Sequence, residues 1–525
     1  MTVVRSFLIG AALLGPLALA GCQTVNGERS AVVQTVADTP TRARAQDGSY
    51  ISWREHLIDG EGINGGVAIR GGDGLAMADI DRDGFPDIVS VHEDSNHLRI
   101  AFGTADPDRW ELVTVAEGPS VAAIEDVAIG DLNGDGWPDL VAACEEAHLL
   151  FLANPGARAR SAEWQTMIPE ITQGRGSWLR VFIEDITGDG RPDIVAANKG
   201  ASDIIDPSAP REDRTTSLFT LTGDPLRQDA WHEQVLFARD VPNTAMPVDI
   251  DADGDFDVLA AARRLEEMYI LENTGVTPAG MVQIFPRPIK IVQGNDPSHC
   301  DIRSSAFQSA FADLDGDGRL DLIVGAMERC GDKRAPHGLP ALGWLRQPED
   351  LKQPWVYYRI GDILPDMVIG ITLADFDGDG DLDAVIGGYS GLNILDGGYS
   401  GDARDFDSPA VTPSSTVGRI AWFENSGDPR RGWQRHDVSR RARGMYDAFI
   451  AQDMDEDGDI DLIATRGNSG EFDGVFWLEQ IRSAEPRAAF VPARSSESQP
   501  LPLPPKNWIE NYRHEQTLIA PNKAH

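Results

Sequence analysis

Oxygen-bearing side chains recur through this chain two residues apart, a spacing that lets several of them share one cation. Seven times the sequence writes Asp-x-Asp/Asn/Thr-x-Asp-Gly-x-x-Asp. The first, third, fifth and ninth places carry the candidate ligands. In the first phrase these are Asp79, Asp81, Asp83 and Asp87, and in the second Asp131, Asn133, Asp135 and Asp139. The third has Asp185, Thr187, Asp189 and Asp193, and the fourth Asp249, Asp251, Asp253 and Asp257. Asp313, Asp315, Asp317 and Asp321 form the fifth, Asp375, Asp377, Asp379 and Asp383 the sixth, and Asp453, Asp455, Asp457 and Asp461 the seventh. Like charges that close repel unless a cation sits between them. A flexible cage of hard oxygens suits calcium better than magnesium, which prefers a smaller octahedral shell and keeps its waters. Up to seven Ca²⁺ ions are therefore expected. Thr187 lacks a charge, which makes the third loop the weakest.

An EF-hand is excluded, because it needs a Glu at the twelfth place and a helix on each side. The flanks here are short apolar runs, Leu75-Ala76-Met77-Ala78 before the first phrase and Ile88-Val89-Ser90-Val91 after it. Two such runs around a Gly-containing turn read as a hairpin. Gly84, at the sixth place, opens backbone space closed to other residues. Phe85 would add a backbone carbonyl to the cation. A metal-free Asp-Gly hairpin turn accounts for neither the first, third and ninth places nor their recurrence.

The elements that position these loops repeat with them. Phrases begin about 50 to 80 residues apart, a spacing that suggests propeller blades. Each phrase lies between strands a and b. A third strand c follows, often aromatic, as in Met268-Tyr269-Ile270-Leu271 and Ile420-Ala421-Trp422-Phe423. A fourth, d, usually opens on Trp: Trp110, Trp164, Trp231, Trp355 and Trp433. Four strands per unit make a blade. After the seventh phrase the chain supplies a, b and c but no Trp-type d strand. That strand stands ahead of the first phrase, as Ser52-Trp53-Arg54-Glu55-His56-Leu57-Ile58. The expected fold is all-β, a seven-bladed β-propeller over residues 51–482 closed by an N-terminal strand that completes the last blade. Closure of this kind leaves no open blade edge.

The phrases with their apolar flanks resemble the FG-GAP/VCBS repeats of integrin-α-type propellers. The resemblance implies calcium in the hairpin loops of one face and ligand binding on the other. It does not name an activity, because one fold hosts many functions.

Residues 1–22 carry Arg5, an apolar stretch Phe7–Ala20 and then Leu19-Ala20-Gly21-Cys22. This reads as a secretory signal whose end resembles a bacterial lipobox, with Cys22 lipidated. Gln23 after it resembles outer-membrane lipoproteins, facing the periplasm or the surface. Residues 23–50 are polar and aperiodic, a flexible tether. Residues 483–525 form a Pro-rich tail that favours extended chain. Net charge is −38, concentrated in the Asp phrases, and such a surface is a poor partner for nucleic acid. Cys300 and Cys330 flank the fifth hairpin and could pair in an oxidising compartment, if strand register brings them close. Cys144 reads as a buried thiol.

Strand order puts the a–b loops on one face and the b–c and d–a loops on the other. Long insertions fall in the second class, at 197–216, 328–340 and 388–418, and loops of that length are often functional. His92, Glu93, Lys199, Arg263, Arg264, Arg329 and Arg466 follow b strands, while Trp178, Arg180, His299, Arg303 and Tyr446 precede a strands. Cations ringing a channel mouth could receive an anionic ligand such as a uronate-containing glycan; charged residues leaving a strand also serve solubility. No GxSxG, HExxH, P-loop or dinucleotide turn is present. Two readings follow: a calcium-stabilised binding or adhesion scaffold for glycan or protein, or a propeller lyase or hydrolase acting on acidic polysaccharide.

Overall fold

The computed structural model describes residues 40–494, apart from 146–147, 201–212, 295–299, 331–337, 364–365, 390–391, 394–397, 400–419, 440–444 and 468–469. Cys22 with the signal, most of the tether, the end of the tail, His299 and much of the three insertions lie outside the described residues.

The strands that follow the Asp phrases are buried along their whole length in five blades, as in Asp87–His92, Asp139–Cys144 and Asp257–Ala262, and over their first four residues or more in the other two. A continuous apolar run of that length suits a strand covered on both sides, and here the covers are the neighbouring blades. Blade 1 comprises Gly72–Ala78, Asp87–His92, His97–Phe102 and Glu111–Glu117. Blade 2 has Ile124–Gly130, Asp139–Cys144, Leu149–Ala153 and Gln165–Met167. Blade 3 has Ser177–Glu184, Asp193–Gly200, Thr215–Leu221 and Trp231–Ala238. Blade 4 has Pro242–Val248, Asp257–Ala262, Glu267–Val276 and Val282–Pro288. Blade 5 is built on Ser309–Ala312, Asp321–Arg329, Leu339–Arg346 and Trp355–Gly361. Blade 6 is built on Met367–Ala374, Asp383–Tyr389, Ile420–Glu424 and Gln434–Ser439. The seven a strands are innermost and the chain forms a seven-bladed propeller.

Blade 7 takes Phe449–Gln452, Asp461–Arg466 and Gly474–Ser483 from one end of the chain and Tyr50–Gly60 from the other. The last pair is antiparallel, with Trp53 opposite Gln480. Phe490–Val491 then lies parallel beside Trp53–Arg54 as a fifth strand. Upstream, Thr41 donates its N–H to Arg487 O at 2.8 Å, and Ile51 to Ala43 O at 3.0 Å. Ala43 and Ala45 are buried. Blade 7 thus incorporates part of the segment read as tether and part of the Pro-rich tail. The polar composition of 41–49 hid two alanines at alternate positions, a strand-like signal too short to register.

The apolar core of the described residues divides into clusters that each join consecutive blades. One unites Ile100 and Phe102 with Leu140 and Leu152, and another Val385 and Trp422 with Phe476 and Trp53. The cluster of Ile58, Val475 and Trp477 with Ile88 and Ala101 joins blade 7 to blade 1 and completes the ring. Each fully buried large aliphatic or aromatic side chain contributes about 1.5–3 kcal/mol, so cohesion is spread around the ring rather than held in one centre.

Blade 5 is the irregular one. Ile291–Gln293 runs parallel along the outside of its Trp355–Gly361 strand, and Asp301–Arg303 pairs with the end of its b strand. Cys300 and Cys330 are joined by a disulfide with Cα atoms 4.0 Å apart, one step beyond the Asp301–Arg329 pair. Cys144 is a buried free thiol.

Candidate functional site

One hydrogen-bond scheme builds the Asp loops. The carboxylate at the first place accepts the N–H groups of the fifth and sixth residues, as Asp79 does from Asp83 and Gly84, each at 3.0 Å. Asp185 and Asp313 repeat it. The fifth-place carboxylate accepts from the seventh residue, Asp83 from Phe85 at 3.0 Å and Asp317 from Arg319 at 3.1 Å. The sixth-place glycines all have φ between +84° and +96°. A Cβ on Gly84 would meet nothing within 4 Å, so conformation and not space demands glycine there.

The ninth Asp has a second role that the spacing did not show. It is buried, and in every loop but the third it ties the loop to the turn after strand c. Asp87 accepts from Ile80 and Gly103, both at 2.8 Å. Asp257 accepts from Ile250 and Asn273, and Asp383 from Phe376 and Asn425. Amide side chains at three of these turns reach the neighbouring blade. Asn154 donates to Ile80 O at 3.0 Å, Asn273 to Ile186 O at 3.1 Å and Gln347 to Ile250 O at 2.9 Å. A motif was available for this latch: Asn154-Pro155-Gly156, Asn273-Thr274-Gly275 and Asn425-Ser426-Gly427 repeat in phase.

The donor set fits a divalent cation. One oxygen each of Asp79, Asp81 and Asp87 lie within 4.8 Å of one another, as do those of Asp249, Asp251 and Asp253, of Asp313, Asp315 and Asp321, and of Asp375, Asp377 and Asp383. Oδ1 of Asp81, Asp315 and Asp453 is buried and accepts no hydrogen bond. Burial pushes the ninth-place carboxyls up, to about 6 at Asp87, Asp139 and Asp193, about 7 at Asp257 and Asp321, and about 8 at Asp383 and Asp461. Carboxylates held so must protonate or gain a cation. The loops differ in their surroundings. Arg160 reaches from blade 2 to Asp81 and Asp83, and Arg346 bonds Asp315 and Asp317, each at 2.5 Å. In the second loop Asn133 Nδ2 donates to Asp135 at 3.1 Å.

On the opposite face, side chains from every blade enclose a cavity of about 560 Å³ at the channel mouth. Asp73, Glu93, Asp94, Glu125, Glu145 and Glu266 line it against three cations, Lys199, Arg263 and Arg303. The mouth of the described residues is therefore acidic where the sequence suggested a ring of cations. Charge sign along b-strand ends was visible, but the carboxylates that face those cations come from other blades. Lys199 pairs with Glu145, Arg264 with Asp240 at 3.2 Å, and Arg329 with Glu266 at 2.5 Å. Arg264, Arg329 and Arg466 lie off the cavity. So does His92, which is wholly buried inside strand b and bonds Ser90 Oγ at 3.1 Å; burial pushes its pKa down to about 3.

Below the mouth, Arg180 joins three blades. Its guanidinium lies 3.3 Å from Asp447 and 3.7 Å from Asp126, and 4.5 Å from the centre of the Phe307 ring. Gln308 Nε2 also donates to Asp447, at 3.2 Å. Arg180 and Trp178 lie within strand a rather than before it. Trp178 is fully buried, its indole N–H bonded to Thr172 O at 3.0 Å, and Tyr446 is equally buried.

A closed ring of four-stranded blades with an Asp loop in each a–b hairpin defines a repeat propeller. Residues 58–142, blade 1 and the first half of blade 2, match the FG-GAP-like repeat family, and residues 306–332, the a–b hairpin of blade 5, match the FG-GAP repeat. These two segments are FG-GAP-type repeats. A comparison with curated proteins gives no significant match. Among solved structures the chain is similar to BBS1N in complex with ARL6DN, soaked with lead, at 10% identity over 81% of this chain and 96% of that one, with a TM-score of 0.38. The same complex soaked with mercury gives 11% identity over 80% and 96%, with a TM-score of 0.41.

Proposed function

We propose that this protein is a calcium-loaded binding or adhesion scaffold of the bacterial cell envelope. In this reading Cys22 carries the lipid that anchors it to the outer membrane, the Asp loops hold up to seven Ca²⁺ ions, and the channel mouth receives a glycan or protein ligand. The observation that carries the reading is the cavity to which all seven blades contribute, on the face away from the loops. Concave sites with a few convergent polar groups are the usual ligand sites of a fold. Met327, Val368 and Ile369 supply an apolar floor among the charges.

The test is direct binding of the purified chain to polygalacturonate, to heparin and to envelope protein extract, each with calcium. Saturable binding lost in a Met327→Trp variant that blocks the mouth supports the reading. Binding that survives the block places the ligand elsewhere. Incorporation of labelled palmitate, absent from Cys22→Ser, tests the anchor.

A lyase or hydrolase of acidic glycans has one observation in its favour. Burial lowers the Lys199 ammonium to about 8, which sets a group able to exchange protons near neutral pH inside the cavity. Release of unsaturated fragments from polygalacturonate, abolished in Lys199→Met, would establish the enzyme; intact polymer after prolonged incubation would remove it.

A further inference from the structure

Three carboxylates from two blades meet at the channel mouth in a place that no Asp phrase reaches. Asp73 lies in strand a of blade 1, Glu93 follows its strand b, and Glu125 lies in strand a of blade 2. One oxygen of each lies within 4.8 Å of the other two. All three line the cavity. Asp73 is 2% exposed, and its buried Oδ2 accepts no hydrogen bond. That unsatisfied oxygen is costly unless something outside the chain meets it.

The nearby cations of the chain also serve other partners. Lys199 is paired with Glu145, and Arg180 with Asp447 and Asp126. Arg263 bonds Asn243 at 2.7 Å and lies over the Phe307 ring. Burial raises all three carboxyls, Glu93 to about 8, and Glu125 and Glu93 raise Asp73 further. Lys199, Arg180 and Arg263 lower the Glu125 carboxyl and Lys199 that of Glu93, but burial outweighs them.

We propose that Asp73, Glu93 and Glu125 bind a hard divalent cation, calcium or manganese, at the channel mouth, separate from the seven Asp loops. The donors are oxygens only, which excludes metals that seek thiolate or imidazole. Three carboxylates fill part of a six- to eight-fold shell, and the cavity leaves the remaining positions to water or to ligand oxygens. An acid-lined mouth would then bind oxygen-rich ligands through the metal instead of through its own side chains.

Equilibrium dialysis of the full chain against calcium alone and against manganese alone, with bound metal counted by atomic emission, tests this. Wild type should hold one more ion per chain than Asp73→Asn, or show one site whose half-saturation shifts at least tenfold in Glu93→Gln. Asp315→Asn should remove a different ion, so that Asp315→Asn with Glu93→Gln lacks two. Glu93 is partly exposed, so its variant decides the matter even where Asp73→Asn does not fold. Identical binding curves for wild type and Glu93→Gln with both metals overturn the proposal.

Discussion

On the loop face, six of the seven copies of one phrase repeat one hydrogen-bond scheme, whereas at the channel mouth the blades contribute different residues. Blade 1 gives Asp73 and Glu93, blade 2 Glu125, blade 3 Lys199 with Arg180 below it, and blade 5 Phe307 and Gln308. A residue repeated in every blade answers a need that every blade shares, which is to turn a hairpin. A residue present in one blade answers a need of the whole ring. The loop face therefore bears on stability around the entire propeller, and the mouth bears on what the propeller holds.

The largest expected effect separates the faces by chelation. A site filled at a hundredfold over its Kd adds about 2.7 kcal/mol, and the loops act together, so EDTA should lower the melting temperature by more than about 10 °C. An unchanged melt would falsify calcium loading. The effect has a pH sign. Without metal, Asp87 near 6 and Asp383 and Asp461 near 8 stand above the ordinary 3.8. Carboxyls raised by folding stabilise the fold most at low pH, and that contribution disappears as pH rises through 6 to 8. The chelated protein should lose stability between pH 5 and 8, and the gain from calcium should grow over the same window. A gain that shrinks with pH would contradict this account of the ninth carboxylates.

At the mouth the largest effect sits in one ion pair. Arg180→Met leaves Asp447 and Asp126 buried without their cation, and breaking a buried pair from one side costs about 3–5 kcal/mol. Urea unfolding measures it. The loss should persist in EDTA, because it does not pass through the loops; a loss that vanishes on chelation would tie the two faces together.

Within the loop face, position decides. Asp315 carries Arg346 and Arg430 as well as its place in the cluster, while Thr187 brings no charge. Asp315→Ala should therefore lower the melting temperature more than Thr187→Ala, and equal effects would make the third loop as well filled as the fifth. The latch is independent of metal. Asn273→Ala removes bonds to Ile186 O and Phe256 O and should cost about 1–3 kcal/mol, with or without calcium.

The loop face was legible because its information is local. Turn chemistry and flanking β-branched runs lie within a few residues of each other, the Trp-led d strands recur in phase with them, and the missing d strand could be counted from either end. The latch was legible in principle through the recurring Asn-x-Gly, yet an amide that bonds the preceding blade means nothing until two blades are stacked. The mouth was legible only in part. Asp73, Glu125 and Asp447 each stand six residues before their Asp phrase, but the same place holds Asn243, Phe307 and Ile369 in blades 4, 5 and 6, and only ring closure brings the carboxylates of blades 1, 2 and 7 together. The cations named from strand ends were real positions, but their partners lay in distant sequence: Glu145 for Lys199 and Glu266 for Arg329.

The smallest effect tests how closely the loops are alike. Their fourth residues are left-handed whether or not they are glycine: φ is +59° at Arg82 and Ala252 and +60° at Glu456, beside +74° at Gly134 and +78° at Gly378. For an L-residue that conformation costs about 1–2 kcal/mol, which glycine avoids, although glycine also loses more entropy on folding. Ala252→Gly should stabilise the chain by up to about 1 kcal/mol, read as a rise in the urea midpoint at constant slope. Arg82→Gly should gain less, because Arg82 also lies 5.3 Å from the centre of the Trp137 ring in blade 2, a cation–π contact that the glycine gives up. Equal gains at the two sites would mean that this contact adds nothing between blades 1 and 2, and that the loops are held alike by backbone and carboxylate alone.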